Sequence, residues 1–532
     1  MSFVLNTADQ ISLEDSFGSL TPREKRFLNK SWAKYFGDNL FPKIDEEPFR
    51  VLYSANHSRP NCPVNILIGA LVLKELTGLS DDELMMSLMF DVRYQYALHT
   101  TSYTEQPISD RSLGRFRERC ATHETSTGVD LIGNAVRNLS NEMAKIMKID
   151  RTLKRMDSMM VASNIRKLSR LELIYTVCAN LVKELNENKE TIPETLKHFI
   201  EDGDRNTFIY HNKSEETGSK MEKLLREAKE LKEFAEPRYD ESGNFQMLIR
   251  VLREQTVEEN GEFRLRTKED GGMDSNILQN PADPDATFRS KAGKDYRGYA
   301  ANLVESTNEM GQTIIEDFQF EKNNYSDSNF LADKLEKMGE QEEKVTIIAD
   351  GGYSGEGTQA LAESNNVEIV NTNLSGKEPD AIAADFEFSD DGTKVIKCPG
   401  GHEPKSCSYN KTTGQCHCSF ERECCEFCPY RDQCHPKEHK KTFRKVISRK
   451  SHSRALQNKK RETNEFKKYC HFRNGVETLP SVLRRKYRVD RMPVRGLIRS
   501  KMFFGFKIAA LNFNKFCKHL QSLDSCALVA SN

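Results

Sequence analysis

The run 345–349 (VTIIA) is almost wholly apolar and ends directly on Asp350, Gly351 and Gly352. Five such residues bounded by turn formers read as a strand buried on both faces, the situation where helices cover a sheet. The flanks agree, with helical patterns over 329–339 and 356–364 and a second apolar strand over 367–370. Upstream, residues 153–160 (LKRMDSMM) read as a strand with Asp157 at its middle. Residues 299–305 and 313–320 read as a hairpin whose connection, STNEMGQ, supplies the Asn and Gly that a turn needs. Between the first strand and the hairpin lie a helical stretch over 168–255 and a polar loop over 258–285.

With that helical insert and a later Cys-rich insert removed, the order is βββαβαβα, the order of the ribonuclease H fold. The expected class is therefore α/β: an RNase H-like mixed sheet core with a helical insert, a Cys-rich insert and an N-terminal all-α domain. The expected division is a flexible segment 1–45, a helical domain 46–148, and the first part of the core 149–376 with its insert 165–285. A Cys-rich insert 377–440, a basic helical part 441–520 and a tail 521–532 follow.

Aspartate is unfavourable in the middle of a strand, so Asp157 asks for a reason. Asp350 stands at the C-terminal end of a buried strand, where open α/β sheets place ligands. In this topology the first and fourth strands are neighbours, which sets the two carboxylates side by side and in need of a divalent cation. A third carboxylate is expected from the last helix, with Glu477 as the candidate and Glu465 or Glu462 as alternatives. Arg473, Glu477 and Arg484 share a helical face, and an arginine there can hold a phosphate. Asp285, in DPDATFRSK, is a further acid near the second strand, read as structural or DNA-positioning.

Eight of the 14 cysteines fall within residues 398–434. Crowding of this kind reads as metal binding before disulfides. Cys425, Cys428 and Cys434 form the tight part and Cys398 is the expected fourth ligand, a set that suits structural Zn²⁺. Cys407, Cys416, Cys418 and Cys424, with His402, His417 and His435, leave the assignment and a second ion open.

Net charge is only −1, yet residues 436–519 hold 25 Lys and Arg against 5 Asp and Glu, a local +20. Such a block points to a polyanion partner. Within it, Arg449, Lys450 and Arg454 lie on a helical pattern that has almost no apolar stripe, so backbone phosphates are its expected contact. Nearer the start, three short helices end in an Arg-rich one with Arg111, Arg115 and Arg117, the shape of a helix-turn-helix module. The Phe-rich run 497–516 is read as core. No apolar run approaches the roughly 20 residues that span a bilayer, and no leader pattern opens the chain, so a cytoplasmic, nucleoid-associated protein is expected.

The segments MDSMMVASNIRKLSRLEL, NPADPDATFRSKAGKDYRGYAANLVES, IIADGGYSGE and FRNGVETL resemble those of DDE-type transposases of bacterial insertion sequences, in the branch with a Cys-rich insert before the final acidic helix. The resemblance runs from about Pro48 to Phe516. Many relatives carry a Tyr, Arg, Glu, Lys signature; here Cys470 stands at the Tyr position, Arg484 at the Lys position, and Pro480 lies one turn after Glu477. The resemblance implies a metal-dependent enzyme that cleaves double-stranded DNA at terminal inverted repeats and joins it to target DNA. It implies two Mg²⁺ (or Mn²⁺) on Asp157, Asp350 and Glu477, and a homodimer or higher assembly on DNA, with no membrane partner. Domesticated or inactive RNase H-like nuclease, or sequence-specific DNA-binding protein, is the alternative.

Overall fold

The computed structural model describes residues 1–6, 15–56, 58–103, 105–210, 216–291, 293–353, 355–372, 379–461 and 463–530. Helix α1 (Val64–Thr77) has no polar stripe and is buried nearly all round, ending at Gly78, whose φ of +75° a residue with a Cβ rarely adopts. Helix α2 (Asp81–Phe90) starts on the expected capping box. The Ser80 hydroxyl accepts from the Glu83 amide at 3.2 Å, and the Glu83 carboxylate accepts from the Ser80 amide at 2.7 Å. Residues 126–148 read as a helix following one that begins near Ser109, and that second helix starts later than the pattern suggests. Helix α3 (Ser112–Thr127) stops at Gly128, φ +75°, and α4 (Leu131–Ile146) starts afresh under the Asp130 side chain.

Strand β1 (Asp150–Ala162) is followed by the helical insert, in which α5 (Arg170–Glu187), α6 (Thr217–Tyr239) and α7 (Gly243–Gln255) bury Tyr175, Leu181, Leu224, Leu231 and Leu248 against one another. A short hairpin, Thr256–Glu259 with Glu262–Leu265, follows where loop was expected. His198 packs into this cluster, with Nδ1 2.9 Å from Asp204 and Nε2 3.3 Å from Glu227. Glu227 is the main cause of a raised imidazole pKa, and Asp204 adds to it while burial opposes. A raised folded-state value means stability fully present below the unfolded pKa and lost as pH rises through the folded one. His198→Gln is therefore expected to lower the melting temperature more at pH 5.5 than at pH 8.5. An equal loss at both values would separate the insert's stability from this proton.

The central sheet is completed by β2 (Lys294–Thr307), β3 (Thr313–Lys322), β4 (Val345–Ala349) and β5 (Val367–Asn371). Its order is β3-β2-β1-β4-β5, antiparallel across the first two joins and parallel across the last two. The fold is thus mixed α/β, as expected. The strand Thr287–Lys291, which the sequence reading missed, pairs with the leading end of β2. Helices α8 (Asp327–Met338) and α9 (Glu356–Ser364) make the crossovers to β4 and β5.

In the Cys-rich region four short strands make a second sheet, Ser406–Asn410, Gln415–Glu421, Thr442–Ser448 and Lys437–Glu438. Residues 444–448 were expected to be helical and are strand instead. Phe443 and Ile447 point to one buried face with Lys445 between them, a period of two. Helix α10 (Arg449–Lys460) follows, then α11 (Asn464–Asn474), a 3₁₀ turn Gly475–Glu477, α12 (Thr478–Arg485) and α13 (Leu497–Ala530). With almost no apolar stripe, α10 is not expected to pack on both sides, and it packs on one. Ala455 is fully buried, and Lys459 Nζ lies 2.5 Å from Asp385 in the turn Ala381–Asp385.

Two apolar layers sandwich the sheet. On one side Met156, Met160, Val304 and Ile347 meet Phe330 of α8. On the other, α13 threads Phe503, Phe504, Phe506 and Phe513 between the sheet and helices α1 to α4, so that one apolar cluster joins the beginning and end of the chain. The Phe-rich run is core, as read. Among the described residues no helix is long and apolar enough to cross a membrane.

Candidate active site

Parallel pairing of β1 with β4 sets Arg155 opposite Ile348, so two residues further along each strand Asp157 and Asp350 are level. They are drawn together across one guanidinium. Arg473, at the end of α11, places Nη2 3.9 Å from Asp157 Oδ1 and 3.8 Å from Asp350 Oδ2. Arg473 is 9% exposed at its side chain, and its Nε is buried without a hydrogen-bond partner. Burial pushes the Asp157 carboxyl up to about 6, Arg473 opposes, and Asp350 adds to the rise. A carboxylate pair destabilised in this way favours a cation between its members.

The backbone around Asp350 is shaped for it. Asp350 Oδ1 accepts from the Gly352 amide at 2.8 Å. A Cβ on Gly352 would lie 3.0 Å from both Asp350 Oδ1 and Asp327 Oδ2, so a larger residue would crowd the two carboxylates. Tyr353 is buried and donates to Asn302 at 2.7 Å; its hydroxyl is raised well above its ordinary value by burial, with Asp327, Asp157 and Asp350 all contributing. Asp327, in the first turn of α8, is thus a third acid beside the pair, and its Oδ1 is buried with no hydrogen-bond partner. In the sequence it lies just ahead of the helical pattern read over 329–339 and was not singled out.

A second residue hidden from the sequence reading is Arg155. It precedes Asp157 by two on β1, on the same face. Its guanidinium binds Glu305 on β2 (Nε at 2.8 Å), donates to the Phe472 carbonyl and lies 4.6 Å from the centre of the Phe472 ring. A Cβ at Gly475 would meet it at 2.5 Å. Glu305 is fully buried and also holds Lys515 of α13 at 2.5 Å. Arg155 therefore fastens the corner that carries Arg473 to the strand that carries Asp157.

Glu477 lies exposed on the 3₁₀ turn after that corner. Glu465 accepts from Tyr469 at 2.8 Å, and Glu462 lies outside the described residues. Pro480 falls in the first turn of α12, where the missing amide hydrogen costs little, and the α-helix is already interrupted at Gly475. Asp285 is structural: it accepts from the Leu497 amide at 3.0 Å at the start of α13, while Asp283 beside it accepts from Gly496.

The arginines assigned to DNA divide. Arg111 and Arg115 face solvent, whereas Arg117 is turned inward to Asp81 and over the Phe503 ring. Arg449 and Lys450 are exposed, the first donating to the Asp390 carbonyl, and Arg454 is half-buried in α10. Arg484 binds Asp490 at 3.0 Å and the Met160 carbonyl at 2.8 Å, and Asp490 accepts from the Ala162 amide, so this arginine braces the end of β1.

Cys398, Cys424, Cys425, Cys428 and Cys434 line one cavity of about 20 Å³. Burial, then the Cys398 and Cys428 thiols, push Cys425 up to about 11. Among the described residues, however, no three His, Cys, Asp or Glu side chains are gathered closely enough to hold a metal ion. The expected four-sulfur zinc site is not formed here, nor is the expected trio of Asp157, Asp350 and Glu477.

A family model described as transposase DDE domain matches residues 397–517, and one described as transposase domain (DUF772) matches residues 30–119. No curated protein and no solved structure matches the chain. The first match contains Arg473, which bridges the aspartates, and the second covers helices α1 and α2 and the Arg-rich start of α3. With a transposase domain matched at each end, and the two stretches joined through one apolar core, the matches support a DDE-type transposase of an insertion-element type.

Proposed function

We propose that the chain cuts double-stranded DNA at the ends of its element and joins the freed 3′ ends to a target. The observation that carries this reading is the meeting of Asp157 and Asp350, 193 positions apart in sequence, level on neighbouring strands with Arg473 between them. The strand order β3-β2-β1-β4-β5 supports it, being that of RNase H-like polynucleotidyl transferases.

The acids fit a divalent cation in charge and in the orphaned Asp327 oxygen. Asp157 and Asp350 would hold it; among the described residues no third acid is gathered closely enough with them to complete a set. Such an ion supplies a Lewis acid at the scissile phosphorus and lowers the pKa of bound water. The chain's own contribution is positional. Arg473 is a buried guanidinium with an unmade hydrogen bond, suited to a phosphate oxygen beside the carboxylates. Arg155 and Glu305 keep that arginine at the strand, and the Gly351–Gly352 turn lets the backbone pass close to Asp350. Arg111 and Arg115 are proposed to read DNA, and Arg449 and Lys450 to grip its backbone. Zinc is kept out of this reading, since the thiols share a cavity without converging on a centre.

The test is incubation of the full chain with duplexes carrying the sequences that flank its gene, with and without Mg²⁺. Nicking or cutting confined to the ends, and only with Mg²⁺ or Mn²⁺, is expected. End binding without any cleavage would favour the second reading, a DNA-binding protein that has lost catalysis, for which the outward-facing Glu477 speaks.

A further inference from the structure

At the β3 edge of the sheet lies a cavity of about 330 Å³, remote from the carboxylates. Its walls come from four elements, three of which supply the cations. Arg137 stands on α4, Arg151 and Lys154 on β1, and Lys334 and Lys337 on α8. Only two carboxylates face them, Glu316 and Asp317 of β3, and each is already shared by two cations. Glu316 binds Arg151 at 3.3 Å and also Lys154, while Asp317 binds Arg137 at 2.5 Å and Lys334 at 2.7 Å. Lys337 makes no ion pair among the described residues. Five cations against two acids leave an excess of three positive charges in one concave wall.

Such an excess is costly unless something anionic answers it, because low-dielectric walls focus the field. Lys154 is 8% exposed and cannot relieve itself by turning to water. Burial and the neighbouring Arg137 and Lys334 press the Lys337 ammonium below its ordinary pKa, although Asp317 opposes them. A second hollow of about 370 Å³ continues from the first, sharing Arg151 and Asn141 and adding Lys43 and Lys145, with Glu142 as its acid. Three residues separate Lys154 from Asp157 on β1, so the two side chains leave on opposite faces of the sheet. An anion in this cavity is therefore not at the acidic pair.

We infer that this cavity is a phosphate-binding site, separate from the catalytic carboxylates. Forked guanidinium and ammonium donors around a multiply charged anion are the chemistry of phosphate recognition. The continuation into a second basic hollow favours a run of phosphodiesters in a DNA backbone over a single free polyphosphate.

The experiment uses the full chain in EDTA, with two probes: pyrophosphate, and a random-sequence duplex lacking the element's ends. Arg151→Gln with Lys337→Gln removes the two most exposed cations and leaves Glu316 paired with Lys154 and Asp317 paired with Arg137 and Lys334. Calorimetry is expected to show pyrophosphate binding at least about tenfold weaker in this variant. The slope of log duplex affinity against log salt should fall in magnitude by about 1.8 for two lost contacts. Loss of pyrophosphate binding with an unchanged duplex slope would mark a free polyphosphate as the ligand. Lys337→Glu alone, on an exposed helix position, should weaken both probes further than Lys337→Gln if charge is the cause. Asp157→Asn must leave pyrophosphate binding intact. Wild-type affinity for both probes in the double variant, or loss of pyrophosphate binding in Asp157→Asn, overturns the assignment.

Discussion

Asp157→Asn and Asp350→Asn are each expected to reduce DNA cleavage by about 10³-fold or more, with end binding nearly unchanged. The amide keeps the shape and loses the charge that a metal requires, and several kcal/mol of transition-state stabilisation go with it. Asp157→Asn carries a second signature. A carboxyl raised from 3.8 to about 6 by burial costs the folded state stability wherever it is ionised, so the cost is complete above about pH 6 and vanishes below about pH 4. Replacing it should stabilise the chain by roughly 1–3 kcal/mol at pH 8 and by little at pH 4. An inactive yet more heat-resistant protein is the mark of a strained functional acid. Cleavage at wild-type rate by either variant sinks the assignment, and a destabilised Asp157→Asn would make that aspartate structural.

The other large effect is expected at Glu305. This carboxylate is fully buried between Arg155 and Lys515, and those three contacts join β1, β2, α11 and α13. Glu305→Leu leaves two cations stranded in the core, which costs about 3–5 kcal/mol. It also frees Arg155 from the strand, so the corner carrying Arg473 loses its anchor. Replacing all three with Leu, Met and Met removes the stranded charge and is expected to recover most of the stability, as hydrophobic replacements of buried ion clusters often do. Urea midpoints decide between the possibilities. A triple variant no more stable than Glu305→Leu would show that the loss came from packing rather than from uncompensated charge. The triple variant should still cut poorly, because recovered stability does not restore the tie between Arg155 and Phe472.

What could be read from residues alone follows from where the chain is regular. Asp157 and Asp350 were legible because a mid-strand acid and an acid ending an apolar run violate local preference, and such violations mark sites. Five strands of the central sheet were legible because each was bounded by a turn or a helix start, whereas the sixth, Thr287–Lys291, was not. Arg155 was not, since in LKRMDSMM it looks like one cation of an exposed edge, and its partner Glu305 comes 150 residues later. Arg117 and Arg484 looked like DNA contacts for the same reason: a sequence displays a charge but not the carboxylate or carbonyl that folding brings to it. The strand Thr442–Ser448 was masked by its lysines and arginines, whose solvent-facing alternation reads as a helical face when the apolar members are only Phe443 and Ile447. Asp327 was hidden by convention, because an acid in the first turn of a helix has an ordinary electrostatic reason to be there.

The threading of α13 through the same apolar cluster as α1 to α4 sets a clock on biosynthesis. Residues 64–146 leave the ribosome early, but Phe503, Phe504 and Phe513, which fill the space between those helices and the sheet, come last. At about 5–20 residues per second, roughly 20–90 s separate α1 from its final packing partner. The helical insert, with a core of its own, can close in the meantime, whereas the Arg-rich helix region and the acidic strands cannot be fixed relative to each other. A chain that has not yet released α13 thus holds neither settled N-terminal helices nor a seated Arg473.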